Sequence, residues 1–230
     1  MSVFSEQDMA NAFEKSLIEE SIVRLPKFDF SFREVTCQQG IADFVCVNSN
    51  GLLEEYKFNK MSSIESSSQI LALLKINVGR KFDYLIKQTG MSEISLNRHL
   101  KEMINKGYVN EINQKFYRCI PDISSNVNIW AFELKLTNWK RAIFQALQYK
   151  AFANYSTVVF PFDKSNVLQK NLHFFKELNI GILLYDANTN KNKWLYYPKK
   201  ERPISKWHSF FLLGRITNQA SDDNVLTDEL

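Results

Sequence analysis

The sequence predicts an α/β fold in two parts. One is a mixed central sheet flanked by helices; the other is a smaller unit of three helices and a β-hairpin set into the middle of the chain. Three observations predict it. Residues 129–161, IWAFELKLTNWKRAIFQALQYKAFANYSTVVFP, read as strand, helix, strand, with the apolar spacing changing from period 2 to period 3.6 and back. Residues 69–120 carry three short amphipathic helices and then two short strands meeting at Asn113-Gln114. The charge is also uneven: residues 62–120 hold nine basic and five acidic residues, while the rest of the chain balances. A local positive excess points to a local anionic partner.

The elements follow in order. Ser5 opens a first helix over residues 5–24, with Asp8 completing a capping box and Ala10, Phe13 and Leu17 on one stripe. Glu6 falls on that stripe one turn earlier. It reads either as an acid favoured at a helix N-terminus or as a carboxylate aimed into a site below the helix. Residues 28–37 alternate as a strand. Residues 41–47, IADFVCV, form a second strand that is apolar except for Asp43, an unusual residue for a central strand. After the turn at 48–51 comes a third strand, 52–58, which carries Glu55 and Lys57. Within 62–120, helices are expected over 69–78, 81–88 and 93–106, the last capped by Ser92 and stopped by Gly107, with Ile94, Leu96, Leu100, Met103 and Ile104 facing inward. Beyond Pro161, a helix over 164–178, strands over 180–185 and 193–197 and a closing helix over 203–214 complete the chain. Residues 217–230 are polar and acidic and are expected to fray.

Composition excludes several classes. Hydrophobic residues make up 45% of the 230, ample for a core, and no apolar run approaches the roughly 18 residues a membrane span needs. Cys37, Cys46 and Cys119 are odd in number and lack CxxC spacing. They read as reduced thiols of a cytoplasmic protein. The three histidines are scattered, which argues against zinc.

Glu133 and Lys135 carry the sharpest signal. They flank Leu134 in an otherwise apolar strand, and period-2 alternation sends both to one face. Burying a lone charge is costly, so the pair needs a partner, a metal or a task. Asp43, on another apolar strand, is the candidate partner.

The order helix, strand, Asp43 strand, Glu133-Leu134-Lys135 strand, helix, strand resembles the PD-(D/E)xK nuclease superfamily, the restriction-endonuclease-like fold. Gln145 to Tyr149 gives QxxxY on the following helix, similar to an additional motif of RecB-like members. Ala42 stands where the name-giving proline would be. The resemblance implies that Asp43, Glu133, Lys135 and Gln145 are catalytic. Asp43, Glu133 and the Leu134 carbonyl would bind Mg²⁺ or Mn²⁺, Lys135 would orient or help deprotonate the attacking water, and Gln145 would position water or phosphate. Lys140, Arg141 and Lys150 are candidates for backbone contacts. Glu6 and Glu55 are candidate extra acids. Glu55-Tyr56-Lys57 repeats the motif, but it leads into the inserted unit, whereas Glu133 leads into a crossover helix and strand. We therefore favour Glu133 and Lys135.

The stretch TGMSEISLNRHLKEMINKGYVNEINQKFYRC resembles a winged helix-turn-helix module. That likeness implies a third helix entering the major groove of duplex DNA, with Ser92, Glu93, Ser95, Asn97, Arg98 and Lys101 facing outward and Lys115 at the wing tip. The expected domains are a discontinuous nuclease-like domain (1–61 and 121–216), the inserted winged module (62–120) and a disordered tail (217–230). The expected function is metal-dependent DNA endonuclease activity on double-stranded DNA. Cutting both strands at a symmetric site would call for a homodimer. The alternatives are a non-catalytic DNA-binding transcriptional regulator on the same scaffold, or an assembly protein whose winged unit binds another protein.

Overall fold

The computed structural model describes residues 5–37, 40–49, 64–120 and 126–225. The chain divides into two compact units. One comprises Met1–Tyr56 and Asn126–Ile204, the other Lys57–Ser125 and Ser205–Leu230.

The first unit is α/β. Its mixed six-stranded sheet has the order β1 (Phe30–Cys37), β2 (Gly40–Asn48), β6 (Asn128–Leu134), β7 (Tyr155–Phe160), β8 (Gly181–Tyr185) and β9 (Asn192–Tyr196). β6, β7 and β8 run parallel; every other neighbouring pair is antiparallel. Each face is covered by helix. Helix α1 (Glu6–Ile18) lays Met9, Phe13 and Leu17 on one face. The Phe13 ring meets Phe44, Phe132 and Tyr185 edge-on, with centroids 5.5, 5.4 and 5.4 Å away, so one side chain ties together three strands. On the other face helix α5 (Trp139–Tyr149) packs Ala142, Ile143 and Ala146 against Val158, Phe160, Ile182 and Leu184. Gly181 has to be glycine for contact reasons: a Cβ there would lie 2.6 Å from Thr157 Oγ1 and 2.7 Å from Pro198 Cδ.

Helix α1 starts as expected, with Ser5 and Asp8 exchanging hydrogen bonds in a capping box, but it ends at Ile18 rather than near Arg24. Glu20, just beyond it, has φ of 54°, which a continuing helix does not allow. The single helix expected over 164–178 is three short pieces: a 3₁₀ turn (Phe162–Lys164), α6 (Ser165–Lys170) and α7 (Leu172–Glu177). Asn171 breaks it by donating its side-chain amide to the Val167 carbonyl at 2.8 Å. The expected strand over 52–58, with Glu55, lies outside the described residues.

The second unit contains α2 (Glu65–Leu73), β3 (Arg80–Lys81), α3 (Phe82–Thr89), α4 (Glu93–Asn105), β4 (Val109–Ile112), β5 (Lys115–Arg118) and α8 (Lys206–Val225). The three strands form an antiparallel sheet in the order β3-β5-β4. Asn113 and Gln114 both take positive φ, 50° and 58°, as a two-residue hairpin requires. Gly90 caps α3 with φ of 68°, and Ser92 caps α4 by accepting from the Ser95 amide.

The closing helix departs from expectation in two ways. It belongs to this unit rather than to the sheet unit, because α8 packs on α2. Phe210, Leu212 and Leu213 are buried, and the Arg118 guanidinium lies 5.0 Å from the Phe210 ring. The helix also continues to Val225, into the stretch expected to fray. Adding residues to a formed helix costs far less than nucleating one. Among the described residues no helix is long and apolar enough to cross a membrane.

Candidate active site

The register of β2 and β6 builds the site. Phe44 pairs with Phe132, so one step further the strands bring Asp43 opposite Glu133. There the strands stop bonding to each other through their backbones. The Leu134 amide instead donates to Asp43 Oδ2 at 2.7 Å. Glu133 is fully buried. Its Oε1 lies 2.8 Å from Lys135 Nζ, and its Oε2 accepts a short hydrogen bond from the Tyr149 hydroxyl of α5. Lys135 Nζ also donates to the Leu134 carbonyl at 3.0 Å and lies 3.6 Å from Glu6 Oε2. The other Glu6 oxygen accepts from the Leu136 amide at 3.3 Å. Asp43, Glu133, Lys135 and Glu6 are thus brought together from β2, β6, the residue after β6 and the first turn of α1.

Burial dominates the electrostatics. It raises the Asp43 pKa above the usual carboxylate range. The Leu134 amide and Lys135 pull it back down, while Glu6 and Glu34 push it further up. Glu133 is likewise raised, first by burial and then by Asp43, against the opposing pull of Lys135 and Tyr149. For Lys135, burial would lower the pKa, but its ion pair with Glu133 and the nearby Asp43 and Glu6 outweigh burial and hold it above the ordinary lysine value. Lys135 is therefore a firm cation.

This donor set suits a hard divalent ion. Asp43 raises the Glu133 pKa, and a cation between the two carboxylates would relieve that repulsion. Magnesium takes one or two protein carboxylates and keeps several waters. The Tyr149 hydroxyl lies in bonding contact with both Glu133 Oε2 and the Ile41 carbonyl. Among the described residues, however, no group of three or more His, Cys, Asp or Glu side chains is arranged to hold a metal. The set is two carboxylates and the Leu134 carbonyl, with water expected to supply the rest.

Beside it lies a cleft of about 150 Å³, lined by Glu6, Gln7, Ala10, Arg33, Glu34, Asp43 and Leu134. Glu34 was not among the candidates from sequence. It sits opposite Asp43 in the β1–β2 register, between the pairs Arg33↔Phe44 and Val35↔Ala42, with φ of 52°. Alternation alone does not reveal it, because positive φ breaks the pleat there.

Gln145 lies one helical turn before Tyr149 on α5, and its buried side-chain oxygen has no hydrogen-bond partner among the described residues. Lys140 and Arg141 are exposed on the first turn of the same helix. Lys150 is not a free phosphate contact. It donates to the Leu178 carbonyl at 2.8 Å and pairs with Glu201 at 2.6 Å, so the end of the helix uses its charge.

In the second unit, Ser92, Glu93, Asn97, Arg98 and Lys101 are exposed on α4, Ser95 is half-buried, and Lys115 is exposed at the hairpin. Ile94 corrects the sequence reading: it is 85% exposed, not inward. The buried stripe is Leu96, His99, Leu100 and Met103. Ile94 therefore shares the opposite stripe with Asn97, Arg98 and Lys101, at spacings of three, four and seven residues. No family model matches the chain, and no curated protein or solved structure does either.

Proposed function

We propose that the chain is a metal-dependent DNA endonuclease of the PD-(D/E)xK type. The observation that carries this reading is the fully buried Glu133, paired with Lys135 at 2.8 Å and facing Asp43 across neighbouring strands. A buried acid facing a second, half-buried acid, with an adjoining cation, is expensive to maintain as mere structure. It is the equipment that phosphodiester hydrolysis needs. Asp43, Glu133 and the Leu134 carbonyl would hold Mg²⁺ or Mn²⁺, which neutralises phosphate charge and makes bound water a better nucleophile. Lys135, held as an ammonium, orients the attacking water by donating to it and faces the negative charge that develops on the phosphate. It is poorly suited to act as the base. Glu6 fixes Lys135 from the other side, and Gln145 offers an acceptor for water from α5.

On this reading the second unit is a winged helix, with α4 as the element that enters the major groove of duplex DNA. Its exposed stripe combines cations for phosphates (Arg98, Lys101), an amide for base edges (Asn97) and the apolar Ile94, which suits a thymine methyl. Two copies of the chain would be needed for a symmetric double-strand cut.

The test is conversion of supercoiled plasmid with Mg²⁺ by wild type, Glu133→Ala and Lys135→Ala. Cutting by wild type alone is the expected result; equal nicking by all three would sink the reading. One observation favours a non-catalytic DNA-binding regulator instead. Lys135 already occupies an oxygen of Glu133 and the Leu134 carbonyl, two of the three proposed metal donors. That reading predicts DNA binding with no cleavage at any Mg²⁺ or Mn²⁺ concentration.

A further inference from the structure

A second cavity, of about 230 Å³, opens in the sheet unit and is lined by Thr137, Asn138, Trp139, Phe160, Lys164, Val167 and Leu168. We propose that it is a nucleobase subsite, which takes one unstacked base of the substrate strand beside the bond to be cut. The proposal rests on the nuclease reading above and narrows its duplex substrate to DNA with unpaired nucleotides near the cut.

Position is the first argument. The cavity lies where β6 and β7 end, at the carboxyl ends of two parallel strands, where open α/β sheets place their ligands. Thr137 follows Lys135 by two residues, at most about 7 Å of chain. A base held here belongs to a nucleotide near the phosphate that Lys135 faces.

Size and surface come next. A cavity of about 150 Å³ holds one benzene ring, so this one has room for a single larger heterocycle. Phe160 and Leu168 give it a buried apolar floor, and Trp139 supplies an indole wall. Phe174 and Phe175 hold that indole in place, with centroids 5.9 and 6.2 Å from it. A fixed aromatic wall suits a flat ring more than a flexible aliphatic chain, because no ordering is left for the ligand to drive. Thr137 and Asn138, both exposed, offer polar groups to the edge of a base.

Charge decides the class of ligand. Lys140 Nζ lies 5.7 Å from the Trp139 ring, which sets an exposed cation at the rim. Arg141 follows it, and Lys164 lines the cavity itself, paired with Asp163 at 2.6 Å. The stretch 137–141 holds two cations and no acid. An apolar slot with a cationic rim fits a base attached to a phosphate backbone. Extracting the base costs least where it is already unpaired.

The test uses full-length chain carrying Glu133→Gln, so that bound DNA is not cut. Two labelled strands of equal length and charge are titrated: oligothymidylate and a fully abasic phosphodiester. Oligothymidylate is expected to bind about tenfold more tightly. Trp139→Ala should erase that difference while leaving abasic binding unchanged, and Trp139→Phe should retain most of it. A 5-iododeoxyuridine strand should photocrosslink to Trp139 in the chain with its tryptophan intact, which needs no substitution in the cavity. A thymidylate preference that survives Trp139→Ala, with crosslinks mapping elsewhere, overturns the subsite alone. Failure of both strands to bind likewise overturns the subsite, while the duplex nuclease reading stands or falls separately on plasmid conversion by wild type against Glu133→Ala.

Discussion

The buried acid–lysine cluster of the sheet unit and the exposed stripe of α4 are both built from charged side chains, yet they obey different physics. Glu133 is fully buried and the Lys135 side chain is 14% exposed, and their partners leave neither free to reorient. Removing Lys135 strands the carboxylates without their cation in a poorly solvated place. Arg98 and Lys101 are solvated and act at long range, so each adds a modest, salt-screened increment. Charge buried in a sheet makes a site that fails all at once; charge spread on a helix makes a surface that weakens by degrees.

That contrast can be broken most forcefully at Lys135. Lys135→Ala should lower the single-turnover rate of plasmid cleavage about a thousandfold, in the range lost with one preorganised donor, while DNA affinity changes little. Comparable losses of rate and affinity would put the two regions on the same footing. Arg98→Ala should do the reverse. Its affinity for duplex DNA should fall by about 1–3 kcal/mol and its salt slope by about 1, with the cleavage rate at saturating DNA unchanged. Ile94→Ala should cost about 1 kcal/mol or less, seen as a lost preference for thymine over uracil in duplex binding. An Ile94→Ala variant that still distinguishes thymine from uracil would remove this residue from the reading face.

Stability sharpens the same comparison by its sign. The Glu133 pKa is raised in the folded chain, so between its ordinary value and that raised value the folded state holds more protons than the unfolded one. Stability without metal therefore falls as pH rises through that window. Glu133→Gln, neutral at every pH, should raise the thermal midpoint of metal-free protein at neutral pH and flatten its decline with pH. An Arg98→Ala control should leave the midpoint where it was. A lower midpoint for Glu133→Gln would mean that the carboxylate is structural.

The sequence made the acid–lysine cluster legible because the surroundings of Asp43 and Glu133 are apolar and strand alternation is unambiguous there. The capping box at Ser5 and the hairpin at Asn113-Gln114 were legible for local reasons: each is specified by residues within one turn. What escaped depends on tertiary partners. Ile94 reads as core by its hydrophobicity, but the frame of α4 is set by Leu96, His99, Leu100 and Met103, and that frame turns Ile94 outward. The closing helix carries enough apolar residues to pack on anything, and only its contact with α2 assigns it to the second unit. Glu34 was hidden by a backbone conformation that no pattern of side chains announces. Tyr149 was visible as part of QxxxY, but not its bond to Glu133, which depends on how α5 crosses β6.

The proposed seat of a divalent cation is the fully buried Glu133 together with the half-buried Asp43. Manganese binding to the full chain, followed by the loss of the free-ion paramagnetic resonance signal, measures it directly. Wild type should take up the ion saturably, in competition with Mg²⁺, and both Asp43→Asn and Glu133→Gln should lose that uptake. No uptake by wild type, or uptake that survives both substitutions, would contradict that assignment.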